Sequence, residues 1–144
     1  MKKLLSILTL GLLFAIALPK ESNAQANTVY LKSATSHVST DTITNATVKT
    51  QYASISGYQD VLTIQTVVTK ISGTTAGAVY LYGSLDNVNY VRIATDSLLL
   101  ANVSTAQSKI WNVNPSTVQY YQLKVVPSGT QSTKIVTKAI YRKR

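Results

Sequence analysis

Residues 73–93 of this 144-residue chain constrain the fold more than any other segment does. They comprise a small-residue turn, an alternating run at 79–82, a polar corner at 83–87 and a second alternating run at 90–93. Alternation with a period of two is typical of half-buried strands, and a Gly/Asp/Asn corner between two such runs predicts a β-hairpin. We therefore expect a β-sheet built around this unit.

The chain beyond residue 24 shows the same preference throughout. Thr, Ser, Val, Ile and Tyr dominate, Glu is absent after Glu21, and no apolar pattern recurs with the helical period of 3.6 residues. Turn-forming residues separate the alternating runs and indicate an all-β, single two-sheet β-sandwich of about eight strands, jelly-roll or immunoglobulin-like in connectivity. The predicted strands lie at 28–33, 43–50, 61–71, 78–83, 90–94, 109–113, 118–126 and 134–141.

The same alternation predicts the core. In the strand at 118–126, Tyr121, Leu123 and Val125 share one face, which we expect to point inward. The apolar run at 98–100 is expected to cap one end of this core. Further inward positions are predicted at Leu62, Ile64, Val68, Val79, Leu81, Val91 and Ile93.

The first 24 residues have the composition of an export signal. Two lysines precede a mostly apolar run at 4–18, and small residues at 22–24 offer a cleavage site. This pattern predicts a secretory signal peptide. A retained membrane anchor is disfavoured, because the run is shorter than the roughly 20 apolar residues that a spanning helix needs and Pro19 ends it. We expect a periplasmic, cell-surface or extracellular protein without a stable membrane span after cleavage.

Residues 25–144 are expected to form the single sandwich domain. Within it, residues 25–57 carry few large apolar side chains, which predicts either a loosely ordered arm or an edge region. The domain would hold 11 basic and 4 acidic residues, a net charge of +7, because residues 1–24 carry three of the 14 basic and one of the 5 acidic residues. This balance favours anionic partners through long-range steering. The chain has no Cys, which excludes disulfides and thiolate metal sites.

Residues that could carry catalysis are scarce. Beyond residue 24 there are four Asp and one His, and no Gly-x-Ser-x-Gly elbow occurs. The spacing of His37 and Asp41 would bring them together on a helix but not in a strand or loop. We interpret Asp86 as a turn former, in preference to a calcium ligand or a glycosidase pair with Asp96. The prediction is a non-enzymatic protein without a metal or other cofactor.

Nine tyrosines, beside one Phe and one Trp, form a surplus. Parity places Tyr80 and Tyr82 opposite the inward residues of their strand, and it places Tyr120 outward in the same way. Outward rings with polar tips suit sugar stacking or protein contacts, whereas the alternative is that they pair across strands or lie under a loop. The candidate binding residues are Tyr80, Tyr82, Tyr120, Asn87 and Asn89.

Lys134, Lys138 and Arg142 share one parity of the last predicted strand and form a candidate basic surface. Basic and aromatic residues together are typical of nucleic-acid binding, but export argues against that partner. We interpret this surface as a charged solvent face that also discourages edge-to-edge pairing of the strand.

The segment GTTAGAVYLYGSLDNVNYVRI at 73–93 resembles a pattern of small β-sandwich virion proteins of tailed phages and prophages, which decorate capsids or build tail and fibre parts. The resemblance extends more weakly over 61–144. It implies a non-enzymatic and often oligomeric protein. The predicted signal peptide departs from it, since virion proteins carry no export signal. The Ser-Asn-Ala-Gln junction at 22–25 resembles signal-peptide ends of Bacteroidota.

The sequence thus favours a structural or adhesive β-sandwich protein, displayed on a virion or a bacterial surface, that acts through subunit packing and attachment. The expected partners are further copies of itself, other virion or surface proteins, and anionic glycans, but not nucleic acid. The alternative is a secreted carbohydrate-binding module that holds acidic glycans on an exposed face of tyrosines.

Overall fold

A computed structural model describes residues 25–143. The predicted signal peptide lies outside these residues, so export remains a prediction. The described residues form eleven strands and no helix, and all strand pairs are antiparallel. This two-sheet, all-β architecture confirms the predicted fold class. Within the same residues, no helix is long and apolar enough to cross a membrane.

The eleven strands exceed the eight predicted because several short strands flank the long ones. In chain order they are β1 Asn27–Tyr30, β2 Lys32–Ser33, β3 Thr40–Thr44, β4 Lys49–Ser54, β5 Gln59–Gly73, β6 Gly77–Ser84, β7 Val91–Arg92, β8 Leu98–Leu100, β9 Gln107–Asn112, β10 Tyr120–Pro127 and β11 Gln131–Lys143.

The five-stranded sheet is built on β11. One side of this strand pairs with β5, and the other side pairs with β3 and β1, which lie end to end along it. β9 pairs with the far side of β5. The six-stranded sheet is built on β10, which pairs with β4 and β6. β2 continues this sheet beyond β4, and β7 and β8 lie end to end along β6.

The core lies between the two sheets. Tyr121, Leu123 and Val125 of β10 are at most 1% exposed, which confirms the predicted parity of this strand. The Tyr121 hydroxyl is satisfied inside the core, 2.7 Å from Ser116 Oγ and 3.1 Å from Gln59 Oε1. Because side chains alternate along a strand, the neighbours of these inward residues must face outward. Five further predicted core residues are fully buried: Leu62, Ile64, Val68, Val79 and Leu81.

Residues 25–57 form the first four strands. β1 and β3 border β11, whereas β4 lies inside the other sheet, between β2 and β10. Ile43 and Ile55 are buried in the core. This segment therefore contributes side chains to the core from both sheets.

Two predicted strands are wrong because each is interrupted and forms two shorter strands. The run at 28–33 is interrupted at Leu31, where the chain passes from β1 in one sheet to β2 in the other and Leu31 is buried. The run at 43–50 is interrupted at Asn45, whose φ of 50° lies in the left-handed region that Asn tolerates. Residues that favour strands continue across both interruptions, so the local sequence pattern does not indicate where either strand ends.

Two apolar predictions fail at the margin of the six-stranded sheet. Val91 pairs with Gly83 on the inner side, but it is 68% exposed because it lines an open cavity at the end of the sheet. Ile93 is partly buried and packs against the core, as expected. The run Leu98–Leu100 forms β8 beside β6 and is not a cap: Leu100 is buried, whereas Leu99 is 73% exposed.

Candidate functional site

The outer surface of the six-stranded sheet carries five of the nine tyrosines. Each of them is half-buried, with part of its ring in solvent. Four project outward from β4, β6 and β10, and the fifth precedes β7 and lies over the same surface. We refer to this surface as the tyrosine face, defined by Tyr52, Tyr80, Tyr82, Tyr90 and Tyr120.

Strand register arranges the middle of the tyrosine face as one straight row. Tyr52 of β4 pairs with Gln122 of β10, and Gln122 pairs in turn with Tyr82 of β6. Lys32 of β2 and Arg92 of β7 lie at the two ends of this row. Gln122 Nε2 donates a hydrogen bond to the Tyr52 hydroxyl at 2.7 Å. The row thus alternates aromatic and polar groups between two cations.

Basic groups lie over two of the rings. The Arg92 guanidinium is 4.7 Å from the centroid of the Tyr80 ring, and Lys124 Nζ is 5.9 Å from the centroid of the Tyr82 ring. Both distances are within the range of cation–π attraction. Arg92 also donates hydrogen bonds to the carbonyl oxygens of Ala94 and Thr95, at 2.8 and 2.6 Å. The tyrosine face therefore combines aromatic rings with positive charge.

A hollow of about 680 Å³ opens at one end of the tyrosine face. Tyr52 and Gln122 form its floor, His37 lies on one side, and Asn87 and Tyr90 lie on the other. The rings of Tyr90 and Tyr52 meet edge to face, with centroids 5.7 Å apart. The hollow is thus bordered by phenol, imidazole and amide groups, all of which can form hydrogen bonds.

Tyr90 is held in place by its own loop. Its hydroxyl donates a hydrogen bond to Asn87 Oδ1 at 2.6 Å. Burial, followed by the neighbouring Tyr52, raises the pKa of Tyr90 above its ordinary value of 10.0. The phenol therefore stays protonated at neutral pH and remains a hydrogen-bond donor.

The loop itself is organised by Asp86. Its carboxylate accepts hydrogen bonds from Ser84 Oγ at 2.7 Å, from the amides of Val88 and Asn89 at 2.9 and 2.8 Å, and from Asn89 Nδ2 at 2.6 Å. Among these donors the Asn89 amide has the largest effect. Together they hold the pKa of Asp86 well below its ordinary value of 3.8. Asn87 follows with a φ of 61°. This geometry confirms the interpretation of Asp86 as a turn former.

We expect Asp86→Ala to lower the melting temperature at pH 7, because the turn loses its acceptor. The folded pKa of Asp86 is depressed, so its contribution is complete above the ordinary Asp pKa of about 4 and disappears as pH falls through the folded value. Thermal melts from pH 7 downward should therefore show the two proteins converging in acid. A difference that stays constant with pH would contradict an origin in the carboxylate.

The structure brings together four of the five candidate binding residues. Tyr80, Tyr82 and Tyr120 lie on the tyrosine face, and Asn87 borders the hollow. Asn89 does not join them, since its side chain is held by Asp86 inside the turn and borders a different cavity. Whether these residues bind a ligand remains a prediction.

Four residues of the site are not predicted by the sequence pattern: Tyr52, Gln122, His37 and Tyr90. Tyr52 and Gln122 were not linked, because the strand that carries Tyr52 was predicted to end at residue 50. Extending that strand would have placed Tyr52 outward by parity. His37 and Tyr90 reach the hollow from loops, and no local pattern indicates that position.

The candidate basic surface lies on the other sheet. Lys134, Lys138 and Arg142 project from the outer side of β11, away from the tyrosine face. Arg142 pairs with Asp60 at 2.9 Å, and this hydrogen bond lowers the pKa of Asp60. The interpretation that these charges protect an edge is wrong, because β11 is paired on both sides.

Two further aspartates, Asp86 and Asp96, have structural partners. Asp96 pairs with Lys109 at 2.5 Å, and the hydrogen bond from Lys109 lowers the pKa of Asp96. Asp86 is held in its turn, as described above. Across residues 25–143, no group of three or more His, Cys, Asp or Glu side chains could hold a metal ion.

Comparison with known proteins identifies the fold class. No family model and no curated protein matches the sequence. The crystal structure of a carbohydrate-binding module specific for non-crystalline cellulose, CBM28, aligns with a TM-score of 0.51 at 10% identity, over 73% of each chain. A structure of infectious bursal disease virus, Gt strain, aligns with a TM-score of 0.54 at 11% identity, over 85% of this chain and 34% of that chain. At such identities the likeness shows a shared β-sandwich fold alone.

Proposed function

We propose that this protein is a non-enzymatic binding module that holds carbohydrate on its tyrosine face. The observation that carries the proposal is the row formed by Tyr52, Gln122 and Tyr82, next to the hollow. Phenol rings can contact the apolar faces of sugar rings while their hydroxyls remain hydrogen-bonded. An amide between two such rings supplies a donor and an acceptor for sugar hydroxyls. The row therefore has both kinds of group that sugar recognition requires.

The size of the row favours an oligosaccharide over a single sugar. Tyr52 and Tyr82 are two strands apart, which corresponds to roughly 10 Å at the usual spacing of strands. A ligand lying across the strands would contact both rings at once. The hollow beside Tyr52, bordered by His37 and Tyr90, would receive a further sugar ring or a chain end.

Two additional observations support a binding role without catalysis. The carboxylates of Asp60 and Asp96 are engaged in ion pairs, and that of Asp86 is held in its turn. The fold is also one that a cellulose-specific binding module uses. That likeness concerns the fold, so it does not identify the sugar.

The proposal is tested by titrating the purified protein with a panel of neutral and acidic polysaccharides. We expect saturable binding to at least one of them and no change in the polymer after prolonged incubation. Absence of binding throughout the panel would contradict the proposal, and release of shorter products would contradict its non-enzymatic part.

A second candidate is a structural or adhesive protein of a virion or a bacterial surface. It is favoured by an apolar patch at the end of the β6–β7 hairpin, where Leu85, Val88 and Val91 are 68%, 76% and 68% exposed. A largely apolar cavity of about 430 Å³ lies beside Leu85 and Val91. Exposed patches of this kind mark protein contacts. In either candidate we propose that the protein acts after export or as part of a virion.

Self-association distinguishes this second candidate. If the apolar patch packs subunits, light scattering should show oligomers at micromolar concentration, and Val91→Ser should shift the protein toward monomer. Ile71→Ser, a change at another exposed apolar residue on β5, is the control and should leave the mass unchanged. A protein that is monomeric at every concentration would contradict the packing role.

A further inference from the structure

The cations of the tyrosine face lack acidic partners. Within residues 25–143 there are two ion pairs, Lys109 with Asp96 and Arg142 with Asp60, and neither involves this face. Of the other two aspartates, Asp86 is held in its turn, and Asp41 lies in the other sheet and accepts a hydrogen bond from the Thr42 amide. The positive charges on the face therefore form no ion pair within the described part of the chain. They are Lys32, Arg92 and Lys124.

These cations are placed along the aromatic row. Lys32 and Arg92 end the row that contains Tyr52 and Tyr82, a span of about 19 Å for four strand spacings. Lys124 projects beside the row from β10, over the ring of Tyr82. A polymer lying against the two rings would therefore pass a cation near each end and one close to its middle.

Arg92 is fixed before any ligand arrives. Two of its nitrogens, Nε and Nη2, donate to the carbonyls of Ala94 and Thr95, and the guanidinium group lies over the Tyr80 ring. Nη1 has no hydrogen-bond partner in the described structure, and the side chain is exposed. A cation already fixed in position loses little conformational entropy when it binds an anion.

We propose that the ligand of the tyrosine face is an anionic polysaccharide, with its sugar rings against Tyr52 and Tyr82 and its carboxylate or sulfate groups against Arg92 and Lys124. This inference rests on the proposed function and specifies its ligand. The charge of the whole domain acts in the same direction, because it steers polyanions toward the protein. Long-range steering does not favour either sheet as the binding surface. The cations among the rings, which form no ion pair, favour the six-stranded sheet.

The test compares polysaccharides that differ in charge alone. Polygalacturonate is paired with its carboxyl-reduced form, and dextran sulfate is paired with dextran. We expect at least one charged polymer to bind about tenfold or more tightly than its neutral counterpart, because hydrogen bonds to charged groups are the stronger ones. The tighter binder of the two charged polymers identifies carboxylate or sulfate as the preferred group. Added salt should weaken this binding.

Matched variants locate the effect. Arg92→Gln and Lys124→Gln should each weaken binding of the charged polymer about tenfold, and by clearly more than they weaken binding of the neutral one. Lys134→Gln removes the same charge from the outer side of β11 and should have no effect. Lys124→Gln keeps the test valid if loss of the Arg92 contacts disturbs folding.

Each alternative outcome has a distinct meaning. Equal binding of charged and neutral polymers would overturn the anionic ligand and leave the proposed function standing. Equal losses in Lys134→Gln and Lys124→Gln would overturn it in favour of general charge attraction. If single-stranded DNA binds as tightly as the polysaccharide, the assignment of the ligand as a glycan would be overturned. Failure to bind any polysaccharide would overturn the proposed function as well.

Discussion

Replacing Leu123 by alanine is expected to lower the free energy of unfolding by about 2–5 kcal/mol. Leu123 is fully buried at the centre of β10, paired with Gln51 of β4 on one side and Leu81 of β6 on the other. Its removal leaves a cavity that the paired strands cannot easily close. The loss is a large share of the roughly 5–15 kcal/mol that stabilises a typical domain. Denaturant melts measure it directly.

Leu99→Ala is the matched control for this experiment. The same side chain is removed, but Leu99 lies on β8 and is 73% exposed. We expect a change of less than about 0.5 kcal/mol. A loss at Leu123 as small as the one expected at Leu99 would show that the parity of β10 is inverted. The outward position of Tyr120 and Gln122 would then be wrong as well.

The double substitution Tyr52→Ala with Tyr82→Ala is expected to raise the dissociation constant for polysaccharide about a hundredfold. Both rings belong to the same row, and truncating an aromatic residue at a binding hot spot typically costs 1–2 kcal/mol or more, which is about tenfold per ring. Isothermal titration calorimetry with the polysaccharide that binds the unmodified protein provides the measurement.

Tyr30→Ala controls for the general loss of an exposed aromatic ring. Tyr30 is 47% exposed, but it lies on β1 of the five-stranded sheet. Its substitution should leave the dissociation constant unchanged. Melting curves establish that the double variant is folded. A folded double variant that binds as tightly as the original protein would remove the tyrosine face from the account.

Much of the fold could be predicted from alternation in the long strands. In β10, buried and outward residues alternate, with Leu123 in the core and Gln122 outside. The same alternation holds in β6, where Val79 and Leu81 are buried and Tyr80 and Tyr82 face outward. These strands are paired on both sides along most of their length. Each of these strands therefore has one face in the core and one face in solvent. Alternation of apolar and polar residues is informative under that condition.

The parts that could not be predicted depend on contacts distant in sequence. Whether the strand at 28–33 continues past Leu31 depends on which sheet each half joins, and alternation carries no information about the partner strand. The contact between Tyr52 and Tyr90 likewise requires a loop to lie over a strand that is remote in the chain. The local residue pattern predicts neither of these features.

The charge pattern of the site shows the same limit. Lys32, Arg92 and Lys124 are single basic residues, far apart in the sequence, and each one alone reads as an ordinary solvent-exposed charge. Strand register places them around the same two tyrosines. Arg142 and Lys143 belong to a basic run that is conspicuous in the sequence, but they lie at the end of β11, where Arg142 is paired with Asp60.

The most direct test of carbohydrate binding at the tyrosine face is an NMR titration of the ¹⁵N-labelled protein with oligosaccharides cut from the polysaccharide that binds it most tightly. The account predicts that amide shifts change in β4, β6, β7 and β10, around Tyr52, Tyr82, Arg92 and Gln122, with little change in β5 and β11. Shift changes confined to the outer side of β11 or to the exposed apolar residues Leu85 and Val91, or no change at high ligand concentration, would contradict it.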